Sequence, residues 1–232
     1  MNIIFFSPED LMLIKEGPFQ RRKYMDMELC QLSKVYADNL SRYYKILKER
    51  NMLLKRNPDK TTLDVYDLQL IEYGTKIIRD RYAFVEQLNK TANYIHKDIT
   101  SNKENLVINY MSNVNENNYE KKIQSNREKD IYYGTTSVGI HKDDLSFYIN
   151  GVNVRDFGSQ GQQRTVCLSL KLAEIDIIKE KTNNKPILLL DDVLSELDRN
   201  RQLYILNSIK GVQTIICLLY TSPSPRDRSV SR

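Results

Sequence analysis

Apolar positions change their period several times along the chain, and each change marks an element. "IIFF" at 3–6 is a short strand-like run, expected in the middle of a sheet, and a mixed segment follows it from Pro8 to Asp26. From Glu28, the residues Leu32, Val35, Tyr36, Leu40, Tyr43, Tyr44 and Leu47 recur at spacings of three and four. That spacing predicts one helix, continued until Pro58 stops it. After "PDKTT", Leu68, Ile71, Ile78, Val85 and Leu88 form a stripe near heptad spacing and predict a second helix to about Ile99. Two long amphipathic helices joined by a short polar turn make an antiparallel hairpin arm, with the stripe serving their mutual packing.

The second half reads differently. "NLVINYMSNV" predicts a strand, and "NENNYEKKIQSNREKD" a polar, partly helical connection. Leu145, Phe147 and Ile149 alternate ahead of Asn150-Gly151, a hairpin-turn pair. A helix is expected over about Gln162 to Lys181, with Val166, Leu170, Ala173 and Ile177 on one face. Pro186 introduces the apolar run Ile187 to Leu190, expected to be buried on both faces of a parallel sheet. A helix carrying Leu203, Leu206 and Ile209 and a strand in "QTII" follow. Strand and helix alternate, so the core is α/β, with the hairpin inserted. The expected parts are a head in two pieces, 1–27 and 105–216, and an arm over 28–104.

Composition narrows the class only a little. The 232 residues are 28% charged with a net charge of +5, which permits nucleic-acid contact without requiring it. No apolar run is long enough to cross a bilayer, so no membrane partner is expected. Three cysteines without CxxC spacing and two distant histidines speak against a disulfide framework or a zinc site, and a reducing cytoplasm is the expected compartment. The tail "CLLYTSPSPRDRSVSR" shares no periodicity with what precedes it. Cys217 to Asp227 back-translate onto an adapter of transposase-based sequencing libraries. Residues 217–232 are therefore expected to be read-through rather than native. Without them, three Arg and one Asp drop out and the charge falls to +3.

The chemistry concentrates in "KPILLLDDVLSELDRNR". Ligands of open parallel sheets sit beyond the carboxyl ends of the strands, where Asp191 and Asp192 emerge. One carboxylate there suits Mg2+, and its neighbour can orient or activate a water. Acids at strand ends also serve as turn formers and helix caps, and that reading stays open. Ser159, Gly161 and Gln162, 32 residues before Asp191 counted from the serine, form Ser-x-Gly-Gln at the start of a helix. Such a start offers N–H groups and a dipole to an anion, or is simply capped by its serine. Lys45, Lys48, Arg50, Lys55 and Arg56 give the arm a basic face, either for DNA phosphates or merely solvated.

Taken together, "FSPEDL", "RR" at 21–22, "KERNMLLK", "EYGTKII", "GIHKDD", "GSQGQQRT" and "LLLDDVLSELD" carry a resemblance over 1–216. The chain resembles the RecF family, bacterial DNA-gap repair ATPases with an ABC-type head related to SMC proteins. The resemblance implies a fold: a truncated ABC-type, SMC-like α/β head with an inserted antiparallel helical hairpin. It also implies roles. Asp191 would be the Walker B ligand of Mg2+, and Asp192 the catalytic acid, where most ABC heads carry glutamate. Ser159, Gln160, Gly161 and Gln162 would be the nucleotide-binding signature, departing from Leu-Ser-Gly-Gly-Gln at Gly158 and Gln160. Ser195, Glu196, Leu197 and Asp198 would be the D-loop. "GIHKDD" departs from the family pattern at Ile140 and Lys142.

The implied cofactors are ATP and Mg2+. The implied partners are double-stranded DNA at gap junctions, a second copy of the chain on ATP binding, RecR and RecO, and indirectly RecA. The family's activity is a weak DNA-stimulated ATPase. Its phosphate loop lies before "FSPEDL", and no Gly-x-x-x-x-Gly-Lys-Ser/Thr occurs in the 232 residues. These residues alone are therefore expected to be inactive. Another SMC-like repair ATPase and a non-enzymatic helical DNA-binding scaffold are the competing readings.

Overall fold

The computed structural model describes residues 2–56 and 59–217, without the side chain of Glu196. The turn expected at Pro58 and residues 218–232 of the expected read-through lie outside the described residues. In chain order the elements begin with β1 (Ile3–Phe6), α1 (Met12–Lys15), α2 (Pro18–Leu32), α3 (Lys34–Leu54) and α4 (Lys60–Ile99). They continue with β2 (Leu106–Met111), α5 (Tyr119–Ser125), α6 (Arg127–Tyr133), β3 (Asp144–Ile149), β4 (Val152–Asn153) and α7 (Val154–Phe157). Then come α8 (Gln160–Thr182), β5 (Ile187–Asp191), α9 (Arg199–Ser208) and β6 (Thr214–Cys217).

Two three-stranded sheets result. One is parallel, ordered β1-β5-β6, and the other antiparallel, ordered β2-β3-β4. Register in the first sets Ile3 opposite Ile187 and Asp191 opposite Cys217. Ile4, Phe6, Leu188 and Leu190 are buried on the face that α8 covers, whereas Ile3, Phe5 and Ile215 on the other face are exposed. Among the described residues β5 is thus covered fully on one face only, and β1 is an outer strand. Both differ from the sequence expectation, because an apolar run shows neither which neighbours pair with it nor what packs on it. In the second sheet β3 buries every second residue against the core, as its alternation predicts. Asn150 and Gly151 both take positive φ (50° and 81°), the pairing a tight hairpin turn requires.

The hairpin helices break earlier than the periodicity suggests. Ser33 is extended (φ −145°), ending α2 and capping α3 by accepting the Tyr36 N–H at 3.2 Å. α4 runs 40 residues, about 60 Å at the α-helical rise. One of its buried rows is Leu63, Leu70, Ile77 and Phe84; the other is Asp67, Gly74, Arg81, Leu88 and Ile95. Three of the five residues in the second row are polar or glycine, which hid it from an apolar count, and Leu68 of the expected stripe is 61% exposed. Gly74 is required by packing, since a Cβ there would meet the Tyr119 ring at 2.4 Å. The second half of α4 lies antiparallel along α8: His96 bonds Ser169 and Gln87 bonds Glu180. α4 is therefore part of the head's wall as well as one leg of a hairpin. In α9, Ile205 and Ile209 face inward while Leu203 and Leu206 are exposed, a rotation of the expected face.

Buried charges fasten these layers. Arg50 is fully buried, pairing with Asp67 at 2.6 Å and Asp130 at 2.8 Å and donating to Thr136. Arg81, also fully buried, pairs with Asp26 and Asp143, each at 2.8 Å. Arg21 grips Asp144 through two parallel bonds of 2.6 and 3.0 Å, and Arg22 donates to the Asp143 carbonyl. The "RR" and "KDD" motifs thus lock each other. His141 is half-buried, and its Nε2–H donates to the Thr136 carbonyl at 3.0 Å, leaving Nδ1 to accept the Tyr43 hydroxyl at 2.9 Å. Burial, reinforced by Lys142 and Arg22, pushes its pKa down to about 4. The ring is neutral and structural.

Candidate functional site

β5 delivers the acids to the carboxyl end of the parallel sheet. Asp191, its last residue, is half-buried and paired with Cys217 in β6. Asp192 follows with φ +49°, in the left-handed region that Asp and Asn tolerate better than other side chains. The turn is pinned from below: the Asp192 N–H donates to the Cys217 carbonyl at 3.1 Å, and the Ser195 hydroxyl donates to the Asp192 carbonyl at 2.7 Å. A single 3-10 turn, Leu194–Glu196, then leads to Leu197, which is buried, and Asp198, which caps α9 by accepting the Arg201 N–H at 3.0 Å. Asp198 is therefore a cap, whereas among the described residues neither Asp191 nor Asp192 caps a helix.

The second cluster opens α8. Ser159 and Gln160 are exposed, and Gly161 and Gln162 are half-buried. Ser159 Oγ accepts the Gln162 N–H at 3.2 Å while Gln162 Oε1 accepts the Ser159 N–H at 3.0 Å, a reciprocal capping box. The amide nitrogen of Gln162 donates to Glu104 Oε1 at 2.9 Å, and Glu104 Oε2 accepts from His96 Nε2 at 3.0 Å. Neither Glu104 nor His96 carries a motif or a periodic position that could have singled it out in the sequence. A small cavity lined by Cys167 of α8 together with Val193 and Leu197 shows that α8 also abuts the segment after the strand-end acids. The side chains of Ser159 and Gln162 bond to each other's backbone N–H, and that of Gln162 also to Glu104, rather than to the strand-end acids.

On the hairpin, Lys45, Lys48, Lys55 and Arg56 are exposed. Arg50 is not part of that basic face. It turns inward because Asp67 and Asp130 give its guanidinium charged partners that solvent would otherwise replace. The Lys55 stem crosses Gly134, where a Cβ would come within 2.9 Å of it.

A parallel strand ending in paired acids, an α8 that starts with a capped Ser-x-Gly-Gln and an antiparallel side sheet define the class by fold: an SMC-type α/β head with a helical hairpin. The head domain of an SMC protein from Pyrococcus furiosus superposes with a TM-score of 0.50 at 14% identity, covering 94% of this chain and 55% of its own, a likeness of fold. Two solved structures match more fully. One, described as the recombination mediator protein RecF with ATPrS in the RecFOR pathway, has a TM-score of 0.87 at 38% identity over 95% of this chain and 63% of its own. The other, RecF with ATP, gives 0.86 at 37% identity. The DNA replication and repair protein RecF of Lachnoclostridium phytofermentans is 54% identical over 220 residues, and that of Lachnospira eligens 50% over 222. Each alignment covers 93% of this chain and 61% of the relative, so the chain spans about three fifths of the curated relatives it matches. No family model matches. The chain belongs to the RecF family.

Proposed function

We propose that the chain forms the signature-bearing and Walker B-bearing part of an ATP-operated clamp on double-stranded DNA in replication-gap repair. The observation that carries this reading is the pairing, in one helix-on-sheet unit, of the capped α8 start with Asp191 and Asp192 at the β5 terminus. The resemblance to RecF proteins supports composite sites. In a symmetric ATP-closed dimer the α8 start would face the γ-phosphate held by the partner, and the strand-end acids would serve the nucleotide of their own subunit. ATP is the nucleotide of the solved relatives.

Asp191, a half-buried carboxylate aimed out of a strand end, fits a hard cation that takes its remaining ligands from phosphate and water. Mg2+ held there would supply screening of the phosphate charge. Asp192 would hold the attacking water and accept its proton. The free N–H groups and dipole at the α8 terminus would stabilise the equatorial phosphate oxygens. Exposed Lys45, Lys48, Lys55 and Arg56 offer phosphate contacts and no base readout. RecR and RecO, with RecA loaded downstream, are the partners this reading expects, in the cytoplasm.

The test is Asp192→Asn in the full-length protein carrying this segment. ATP turnover should collapse while ATP-driven dimerisation persists or strengthens. Unchanged turnover would favour a helical scaffold whose acids are structural. Residues 1–232 by themselves should show no turnover above an Asp192→Asn control.

A further inference from the structure

Glu104 stands in the connection between α4 and β2, and its two carboxylate oxygens are divided between two elements. Oε1 takes the Gln162 amide N–H of the first α8 turn at 2.9 Å, and Oε2 takes the Nε2–H of His96, in the last turn of α4, at 3.0 Å. His96 is fully buried, and its Nδ1 lies 3.0 Å from Ser169 Oγ, whose one hydroxyl proton is shared between that nitrogen and the Thr165 carbonyl, 2.8 Å away and one α8 turn back. The other end of the Gln162 amide is committed as well, because Oε1 accepts the Ser159 N–H at 3.0 Å. The glutamine side chain is therefore held at both ends, by the serine it caps and by a carboxylate anchored on the hairpin.

We infer that Glu104, oriented by His96, is a positioning residue for the nucleotide-facing start of α8: it fixes the Gln162 amide so that the Ser159 turn is formed before phosphate arrives. The inference rests on the clamp reading above. The physical reason is that an amide on a rotatable side chain makes the Ser159 bond part-time when its nitrogen is unheld. A charge-assisted bond to that nitrogen removes the alternatives. Preorganised donors act without reorganisation at the moment of binding. The bond pair also ties the α8 start to the α4 terminus, so the signature cannot shift without breaking a contact to the hairpin.

The experiment compares wild type, Glu104→Ala, Glu104→Gln, Gln162→Ala and the double variant Glu104→Ala/Gln162→Ala in the full-length protein. The readouts are ATP-driven dimerisation, the ATP dependence of turnover, and melting temperature. Glu86→Ala, an exposed α4 glutamate, is the control. Glu104→Ala should raise the ATP concentration for half-maximal dimerisation and KM about tenfold, the size of one charge-assisted bond, with a smaller change in kcat. Glu104→Gln keeps the shape but cannot accept from both donors, so it should fall on the same side. Because Glu104 acts through Gln162, the double variant should be no worse than Gln162→Ala alone. Additive losses, or a Glu104→Ala protein that matches wild type and Glu86→Ala, would overturn the positioning role. A wild type showing no ATP-driven dimer at all would instead overturn the clamp reading, and this inference with it.

Discussion

The charges of the hairpin and those at the end of β5 are built to opposite specifications. Arg50 and Arg81 are fully buried, and each is held by two carboxylates and further hydrogen bonds. Asp191 and Asp192 are half-buried, and among the described residues their carboxylates enter no ion pair. A guanidinium removed from water survives only where carboxylates neutralise it, and although Arg50 Nη2 has no hydrogen-bond partner among the described residues, the paired carboxylates leave either group nothing to do but hold helices together. A carboxylate left accessible at a strand end, on backbone at φ +49°, contributes little to holding the fold and remains available to a ligand. Charge alone does not distinguish the two kinds. Ion pairing with buried carboxylates does.

Breaking the accessible side should give the largest effect. Asp192→Asn in the full-length protein should cut kcat for ATP by about 10²–10⁴, the usual contribution of a general base, with the melting temperature held, because Asn also accepts the left-handed turn. A steady-state phosphate-release assay beside a thermal melt reads both.

The buried side should answer in stability instead. Arg81→Met removes the ion pairs of Asp143 and Asp26, and Arg50→Met removes that of Asp130 while Asp67 keeps Arg127. Each should cost about 3–5 kcal/mol in a urea melt. A loss under 1 kcal/mol would mean that these networks are ornamental.

His141 sharpens the comparison through pH. Its folded pKa of about 4 lies below the unfolded 6.5, so its contribution is fully present above pH 6.5 and is lost as pH falls toward 4. Glu28 runs the other way: burial pushes its carboxyl up to about 9, so its contribution is full below 4.5 and fades as pH rises. The His141 effect is therefore read as a difference. Between pH 6.5 and 4, wild type should lose about 2–3 kcal/mol relative to His141→Gln, which keeps a donor and an acceptor. Parallel pH profiles would contradict the neutral, half-buried ring.

The smallest effect belongs to the exposed face. Lys45→Ala and Lys48→Ala should each lower the slope of log K against log salt for duplex DNA by about 0.9 and weaken all sequences alike. Arg50→Lys should leave that slope unchanged.

Much of the fold was legible in the sequence wherever a period was clean. The β3 alternation, the Asn150-Gly151 turn and the helix after Ser159 stand where the pattern puts them. The helical hairpin was legible too, but not its inner seam. Asp67, Gly74 and Arg81 occupy positions that an apolar count expects to be hydrophobic, and only the partners Arg127, Tyr119 and Asp143, 45 to 62 residues away, explain them. Arg50 looked like part of a basic face for the same reason. At the candidate site the motifs located the strand-end acids and the capped Ser159 turn. The Glu104 clamp escaped because it joins three elements through side chains that share no spacing.

The central claim is that the signature of one copy completes the site whose Walker B belongs to the other. Mixing two full-length variants, Asp192→Asn and Ser159→Arg, tests it directly. Each alone should be inactive. If the sites are composite, a mixed dimer holds one site with intact Asp192 and intact Ser159. An equimolar mixture should then regain about a quarter of wild-type turnover on simple pairing statistics. A mixture as inactive as either parent, in which mixed dimers are shown to form, would contradict the account.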